Sequence, residues 1–186
     1  RIAIENQPVS TWRERALAER DPQASVMALL ALARQGAKDD LPRIVDALNR
    51  WDLGALEEHQ ALAVLRAYAL AFTRLGSPDD ALRGRVAAKL DPLFPSSSAP
   101  ISTELARLLT FLGSETVVPK TMALMRSGLP DELPPWAELI QRNDTYGGPI
   151  AKMLANMPPV RNISYALILR NATTGWTPAL RKEYFD

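Results

Sequence analysis

Apolar side chains recur along this chain at intervals of three and four residues, the spacing of one face of an α-helix. Two such faces are formed by Val26, Leu29, Leu30 and Ala33 and by Leu41, Ile44, Val45 and Leu48. Sustained alternation of apolar and polar residues, which a half-buried strand needs, is missing. The pattern therefore predicts an all-α fold.

One stretch, "QALAVLRAYALAFTRLG", is apolar on most sides. Leu62, Leu65, Ala69 and Phe72 share one face, and Val64, Tyr68, Ala71 and Leu75 share another. A helix with so wide an apolar surface is buried from several directions. We expect it to lie between neighbouring helices.

The boundaries between helices repeat in three segments, "ALARQGAKDDLPRIVDAL", "AFTRLGSPDDALRGRVAAKL" and "LLTFLGSETVVPKTMALM". In each, a long apolar helix ends at Gly36, Gly76 or Gly113, and a shorter amphipathic helix follows. Each glycine is predicted to take the left-handed conformation that ends a helix. Asp39-Asp40 and Asp79-Asp80 lie at the same offset from their glycines. These acids are predicted to cap the next helix or to face its positive end.

The three glycines are 40 and 37 residues apart. Two helices per unit of about 40 residues is typical of HEAT and armadillo repeats. We therefore expect a HEAT/armadillo-like, right-handed superhelical solenoid of helix pairs. It is expected to form a single segment over residues 1–186, truncated at both ends from a longer protein. A non-repetitive helical bundle is the alternative.

The remaining segments fit this layout less regularly. "WDLGALEEHQ" and "LFPSSSAPIS" are predicted to connect units, and "RIAIEN" to form the last turns of a helix. "STWRERALAERD" is predicted to be a second helix with Ser10 or Thr11 as its cap.

Towards the carboxyl end the pattern is looser. "LPDELPP" is predicted to be a loop, 136–142 a short helix, and Gly147-Gly148-Pro149 the start of another. The last helix pair is predicted from Val160 to Asn171 and from Pro178 onward, with Thr177 as the cap of the final helix.

Composition and charge narrow the classes of partner. The 186 residues suffice for one globular domain or one stretch of a repeat array. Lys and Arg number 22 and Asp and Glu 21, whereas nucleic-acid binders usually have a basic excess. No run of about 18 apolar residues is present. We expect neither a nucleic-acid partner nor insertion into a membrane.

Basic residues are nevertheless predicted on the shorter helices. They are Arg43, Arg83, Arg85, Lys89, Lys120 and Arg126. The acids Asp39, Asp40, Asp46, Asp79, Asp80 and Glu115 share those helices. This mixture favours a solvated face over a phosphate-binding groove.

Candidate catalytic chemistry is sparse. The chain has no cysteine and one histidine, His59, which lies at a predicted helix start and lacks HExxH spacing. Ser-His-Asp and Cys-His catalysis therefore have almost no components here.

Paired carboxylates occur at Asp39-Asp40, Asp79-Asp80 and Asp131-Glu132. The helix dipole accounts for the first two pairs, and nothing predicts the apolar pocket that raises the pKa of a catalytic acid. We therefore expect no enzyme activity, no catalytic residue, no cofactor-binding residue and no metal-binding residue.

Four tryptophans are spread through the chain, at Trp12, Trp51, Trp136 and Trp176. They are candidates for a platform on which sugars or bases stack. Each lies near a predicted helix end among apolar neighbours, so packing in the core is the favoured interpretation.

Three stretches are similar to a known family: "TWRERALAERDPQASVMALLALARQG", "LDPLFPSSSAPISTELARLLTFLGSETVVPKTMALM" and "RNISYALILRNATTGWTPALRKEYFD". They resemble the HEAT-repeat segment of large exported multidomain proteins of planctomycetes and related bacteria. The piece "GWTPALRKEYFD" is the most specific. In that family the repeats often adjoin cytochrome or haem-binding, propeller or sugar-hydrolase-like modules.

The resemblance implies a scaffold segment without catalytic residues, exported or periplasmic in a bacterium. We expect a non-catalytic helical-repeat scaffold or protein-interaction segment. Its partners would be another protein or neighbouring domains of the same polypeptide. The alternative is an accessory segment of an exported carbohydrate-degrading or haem/redox enzyme whose catalytic modules lie elsewhere. A DNA glycosylase of HEAT-like fold is disfavoured by the near-neutral charge.

Overall fold

The structure, a computed structural model, describes residues 1–127 and 160–186 together with 148, 149, 152, 153 and 156. Residues 1–127 and 160–186 form ten α-helices and four single turns of 3-10 helix, and the described residues include no strand, which confirms the all-α prediction. The helices are α1 (Ile2–Glu5), α2 (Arg13–Ala18), α3 (Pro22–Gln35), α4 (Leu41–Asn49), α5 (Glu58–Leu75), α6 (Asp80–Leu90), α7 (Ala99–Leu112), α8 (Val117–Arg126), α9 (Val160–Leu169) and α10 (Pro178–Phe185).

The longest helix, α5, lies between its neighbours as predicted. It contacts α3, α4 and α7. Val64, Leu65 and Tyr68 are completely buried, and each buried side chain of this size contributes about 1.5–3 kcal/mol to folding. The Tyr68 hydroxyl donates a hydrogen bond to Asn49 Oδ1 at 2.8 Å, and burial raises the pKa of Tyr68.

Four helices pack in chain order, with α3 against α5, α5 against α7 and α7 against α9. Helices α5 and α7 are parallel, because Arg66 contacts Glu104 and, further along both, Phe72 contacts Phe111. Among the shorter helices, α4 packs against α6.

Helices α4 and α6 are also parallel. Asp46 on α4 pairs with Arg85 on α6, and one turn further along both helices Asn49 accepts a hydrogen bond from Lys89. Helix α8 packs against α7, α9 and α10. The contacts therefore follow two rows of helices. One row is α3, α5, α7 and α9, and the other is α2, α4 and α6.

The three boundary glycines have different conformations. Gly113 is left-handed at φ 72°, ψ 33°, as predicted. Gly76 has φ 109° but ψ 173°, so it lies outside the left-handed helical region. For Gly36 the prediction is wrong, because its φ of −78° is open to any residue. A Cβ on Gly36 would lie 2.6 Å from both Asp40 Oδ2 and the Leu32 carbonyl, so space rather than φ requires glycine.

The two aspartate pairs also differ. Asp79 caps α6 as predicted, accepting a hydrogen bond from the Leu82 amide at 2.7 Å. Asp40 is buried and turns back to accept from the Ala37 amide at 2.9 Å. Its Oδ1 forms an ion pair with Arg13 Nε at 3.0 Å, which ties α2 to the α3–α4 connection. Asp40 is therefore an anchor between helices.

The predicted cap of α2 is wrong, and that of α10 is confirmed. Helix α2 begins after Trp12 with no side-chain cap, because residues Val9–Thr11 form a 3-10 turn in which the Thr11 hydroxyl donates to the Pro8 carbonyl. Thr177 Oγ1 accepts from the Leu180 amide at 3.2 Å.

Several predictions concern segments that the structure does not describe. The loop "LPDELPP", the short helix over 136–142 and Gly147 lie outside the described residues. Within the described ranges, no helix has both the length and the apolar character to cross a membrane.

Candidate interaction surface

The residues weighed for catalysis do not form a cluster. His59 is exposed in the first turn of α5. Asp79 and Asp80 are exposed at the start of α6, and Asp131-Glu132 lies outside the described residues. Over the described part of the chain, no three histidine or carboxylate side chains form a group that could hold a metal ion.

The basic residues of the shorter helices mostly contact other helices. Arg43 pairs with Glu14 at 2.6 Å, Arg85 with Asp46 at 3.2 Å and Arg126 with Glu183 at 2.8 Å. The hydrogen bond to Arg43 lowers the pKa of Glu14. These contacts join α4 to α2, α6 to α4 and α8 to α10.

Two lysines bind backbone carbonyls where a preceding helix ends. Lys89 on α6 donates to the carbonyl of Asn49, the last residue of α4, and to the carbonyl of Trp51, two residues later. Lys120 on α8 donates to the Asp91 carbonyl at 2.7 Å, after α6. A cation at the carboxyl end of a helix is favoured by the helix dipole. Burial lowers the pKa of Lys89.

The Asp91 carboxylate is the centre of a hydrogen-bonded cluster. Its Oδ1 accepts from the hydroxyls of Ser114 and Thr116, and its Oδ2 lies 3.0 Å from Lys120 Nζ. Burial raises the pKa of Asp91, but the hydrogen bonds from Thr116, Ser114 and Lys120 outweigh burial, and the pKa lies below its ordinary value. An ionised carboxylate with a lowered pKa is a weak base, so this cluster joins helices rather than activating a hydroxyl.

The three described tryptophans pack in or against the core, which confirms that interpretation for them. Trp12 is buried. Trp51 and Trp176 are partly buried and pack against the core. The Trp176 Nε1 donates to the Ala172 carbonyl at 2.9 Å. Trp136 lies outside the described residues.

A groove that the sequence did not predict lies between α7 and α9. Its volume is about 630 Å³. The lining residues are Arg107, Thr110, Phe111, Ser164, Leu167, Ile168, Asn171 and Thr173. Leu167 on α9 is 54% exposed. The groove is therefore an open, partly apolar cleft between α7 and α9.

A second groove of about 230 Å³ lies on the other side of α7, between α7 and α5. Its walls include Ala69, Phe72 and Thr73 of α5 and Leu108 of α7. Phe111 lines both grooves and is 47% exposed. Phe111 thus stands on the ridge between them. We call the two grooves and this ridge the Phe111 surface.

Two arginines contact Glu104, which lines the smaller groove. Arg107 lines both grooves, whereas Arg66 lies beside them and lines neither. Arg66 Nε and Arg107 NH1 both contact Glu104 Oε1, at 3.4 and 3.2 Å. Glu104 is 14% exposed, whereas the two arginine side chains are 64% and 56% exposed. Two guanidinium groups share one carboxylate, which leaves one positive charge in excess.

The larger groove combines hydroxyl groups with apolar side chains. Its described lining contains the hydroxyls of Thr110, Ser164 and Thr173 but neither histidine nor carboxylate, and a hydroxyl needs an adjacent base to become a nucleophile. Comparison of the chain with models of protein families, with curated proteins and with solved structures gives no match.

Proposed function

We propose that this chain is a HEAT/armadillo-like, right-handed superhelical solenoid that acts as a non-catalytic scaffold or protein-interaction segment. The proposal rests on one observation, the parallel packing of equivalent helices from successive units. Helix α7 lies parallel to α5, and α6 lies parallel to α4. Stacked helix pairs of this kind bury a continuous core through contacts between neighbouring units.

Specific contacts between units support the same proposal. Lys89 and Lys120 each bind the backbone at the end of the preceding shorter helix. The loop after α9 contacts the loop after α7, because Thr174 Oγ1 donates to the Gly113 carbonyl at 3.0 Å. Such contacts fix the position of each unit relative to the one before it, which is the requirement for a rigid scaffold.

The Phe111 surface is the proposed binding face. Aromatic residues and arginine are enriched at protein interfaces, and Phe111 and Arg107 lie side by side here. A partner that covers Phe111 and Leu167 removes apolar surface from water at about 25 cal/mol per Å². The partner would be another protein or a neighbouring domain of the same polypeptide.

Photo-crosslinking in cells that make the protein tests this proposal. A benzophenone amino acid replaces Phe111 in one variant and Phe185, which is 81% exposed, in the matched control. We expect a discrete protein adduct at position 111 that is absent at position 185 and is lost when Leu167 is changed to Asp. No adduct at position 111, or the same adducts at both positions, would refute a binding role for the Phe111 surface.

A further inference from the structure

We infer that the Phe111 surface binds an amphipathic α-helix of a partner protein whose apolar face is flanked by carboxylates. This inference rests on the proposed function and specifies its partner. Two features of the surface support it: the arrangement of the two grooves on either side of Phe111, and the excess positive charge at their edge.

The expected spacing of the grooves is close to the spacing of residues seven apart on one face of a helix. The grooves lie on either side of α7, and packed helices are about 8–10 Å apart, so the groove centres are separated by about the same distance. Residues seven apart on one face of an α-helix are about 10.5 Å apart. Residues on one face of a strand are about 6.7 or 13.4 Å apart. A helix that crosses α7 therefore places one apolar side chain in each groove.

The ridge between the grooves supplies the apolar contact for such a helix. Phe111 stacks on the buried Phe72, with ring centroids 5.5 Å apart, so its ring is held in place from below. Leu167 extends the exposed apolar surface along the larger groove. A rigid aromatic residue at the centre of a surface is the usual anchor of a protein interface.

The charge at the edge selects an acidic partner. Arg66 and Arg107 share the single carboxylate of Glu104, and each guanidinium group has five N–H donors. Both arginine side chains are more than half exposed, so their guanidinium groups can donate to a further carboxylate. Charge complementarity of this kind determines which partner binds and how fast.

Selection from a phage-displayed library of random 16-residue peptides on the whole chain tests the inference. We expect enriched peptides with apolar residues seven apart and Asp or Glu beside them. The best synthetic peptide should become helical on binding, as measured by circular dichroism. Its affinity should fall at least tenfold with Phe111→Ala and at least threefold with the double variant Arg66→Gln, Arg107→Gln.

Matched control variants show whether a loss of peptide affinity is specific to the Phe111 surface. Phe185→Ala and Arg85→Gln change an exposed aromatic residue and a paired arginine outside the grooves, and each should leave the affinity within twofold. Thermal melting checks that every variant is folded. If Phe111→Ala is unfolded, Leu167→Asp replaces it, with the same tenfold loss expected.

Other outcomes would overturn the inference alone or together with the proposed function. Peptides that depend on Phe111 but lack acidic residues, or bind without becoming helical, overturn this inference and leave the proposed function standing. If no peptide depends on Phe111 and no crosslink forms there, both are wrong. Binding to phosphatidylserine-containing vesicles that is lost with Phe111→Ala would also overturn the inference, since the surface would then recognise a lipid.

Discussion

Phe72 and Phe111 stack on each other from neighbouring parallel helices, with ring centroids 5.5 Å apart and ring planes at 23°. Phe72 is 5% exposed and Phe111 is 47% exposed. The same contact therefore joins the core of the molecule to its candidate binding surface. The two residues are expected to differ in what they contribute to folding and to binding.

The first prediction compares Phe72→Ala with Phe111→Ala. Loss of the buried ring removes core packing and leaves a cavity, which costs about 3–5 kcal/mol of unfolding free energy. Loss of the half-exposed ring removes mainly the aromatic contact, at about 0.5–1.5 kcal/mol. Urea denaturation measures both values. Equal losses would show that the two residues do not have these separate roles.

The second prediction concerns two glycines. Gly175 has φ 78°, and a Cβ there would lie 2.5 Å from the Glu115 carbonyl, so Gly175→Ala is expected to cost at least about 1 kcal/mol. Gly84 is exposed within α6 and has open space around it, so Gly84→Ala is expected to gain about 0.5–1 kcal/mol. In thermal unfolding, the melting temperature should fall in Gly175→Ala and rise in Gly84→Ala. Unchanged or raised stability in Gly175→Ala would exclude the close contact at Gly175.

The third prediction tests the contact between α6 and the end of α4. Lys89→Met removes the donor to the partly buried Asn49 and Trp51 carbonyls, and a hydrogen bond of this kind contributes about 0.5–1.5 kcal/mol. Lys38→Met is the control, since Lys38 is exposed on a 3-10 turn. Chemical denaturation should give a lower free energy of unfolding for Lys89→Met than for Lys38→Met. Equal stability for both would mean that Lys89 does not anchor one unit to the next.

The fourth prediction is a pH dependence that arises from Asp91. Its pKa is lowered in the folded chain, so its ionised form contributes stability above the unfolded pKa of about 3.9. That contribution is lost as the pH falls through the folded pKa. Unfolding free energies measured from neutral pH down to about pH 2.5 should fall less steeply in Asp91→Asn than in the unchanged chain. Identical slopes would exclude this role for the carboxylate.

The features that the sequence predicted are those with a local cause. The spacing of Leu41, Ile44, Val45 and Leu48 predicts one buried face, and all four are buried. The cap at Thr177 and the end of α7 at Gly113 also follow from residues within one turn. Hydrophobic spacing and local hydrogen bonds determine these features whatever lies beyond the helix.

The features that were missed depend on residues distant in sequence. Gly36 precedes a turn in which the Asp40 carboxylate accepts from the Ala37 amide, and the same carboxylate pairs with the distant Arg13. The Phe111 surface was missed for a related reason. Helix α7 has apolar residues on several sides, and only the positions of α5 and α9 leave Phe111 exposed.

Hydrogen–deuterium exchange of the chain with and without Gly175→Ala tests the central claim, a stack of helix pairs stabilised by their neighbours. The substitution disturbs the contact between the loop after α9 and the loop after α7. In a repeat array the effect passes only to adjacent units. We predict faster exchange in α8, α9 and α10 and unchanged exchange in α3 and α4. Acceleration by the same factor in every helix would contradict the claim, because it would show a single cooperative bundle.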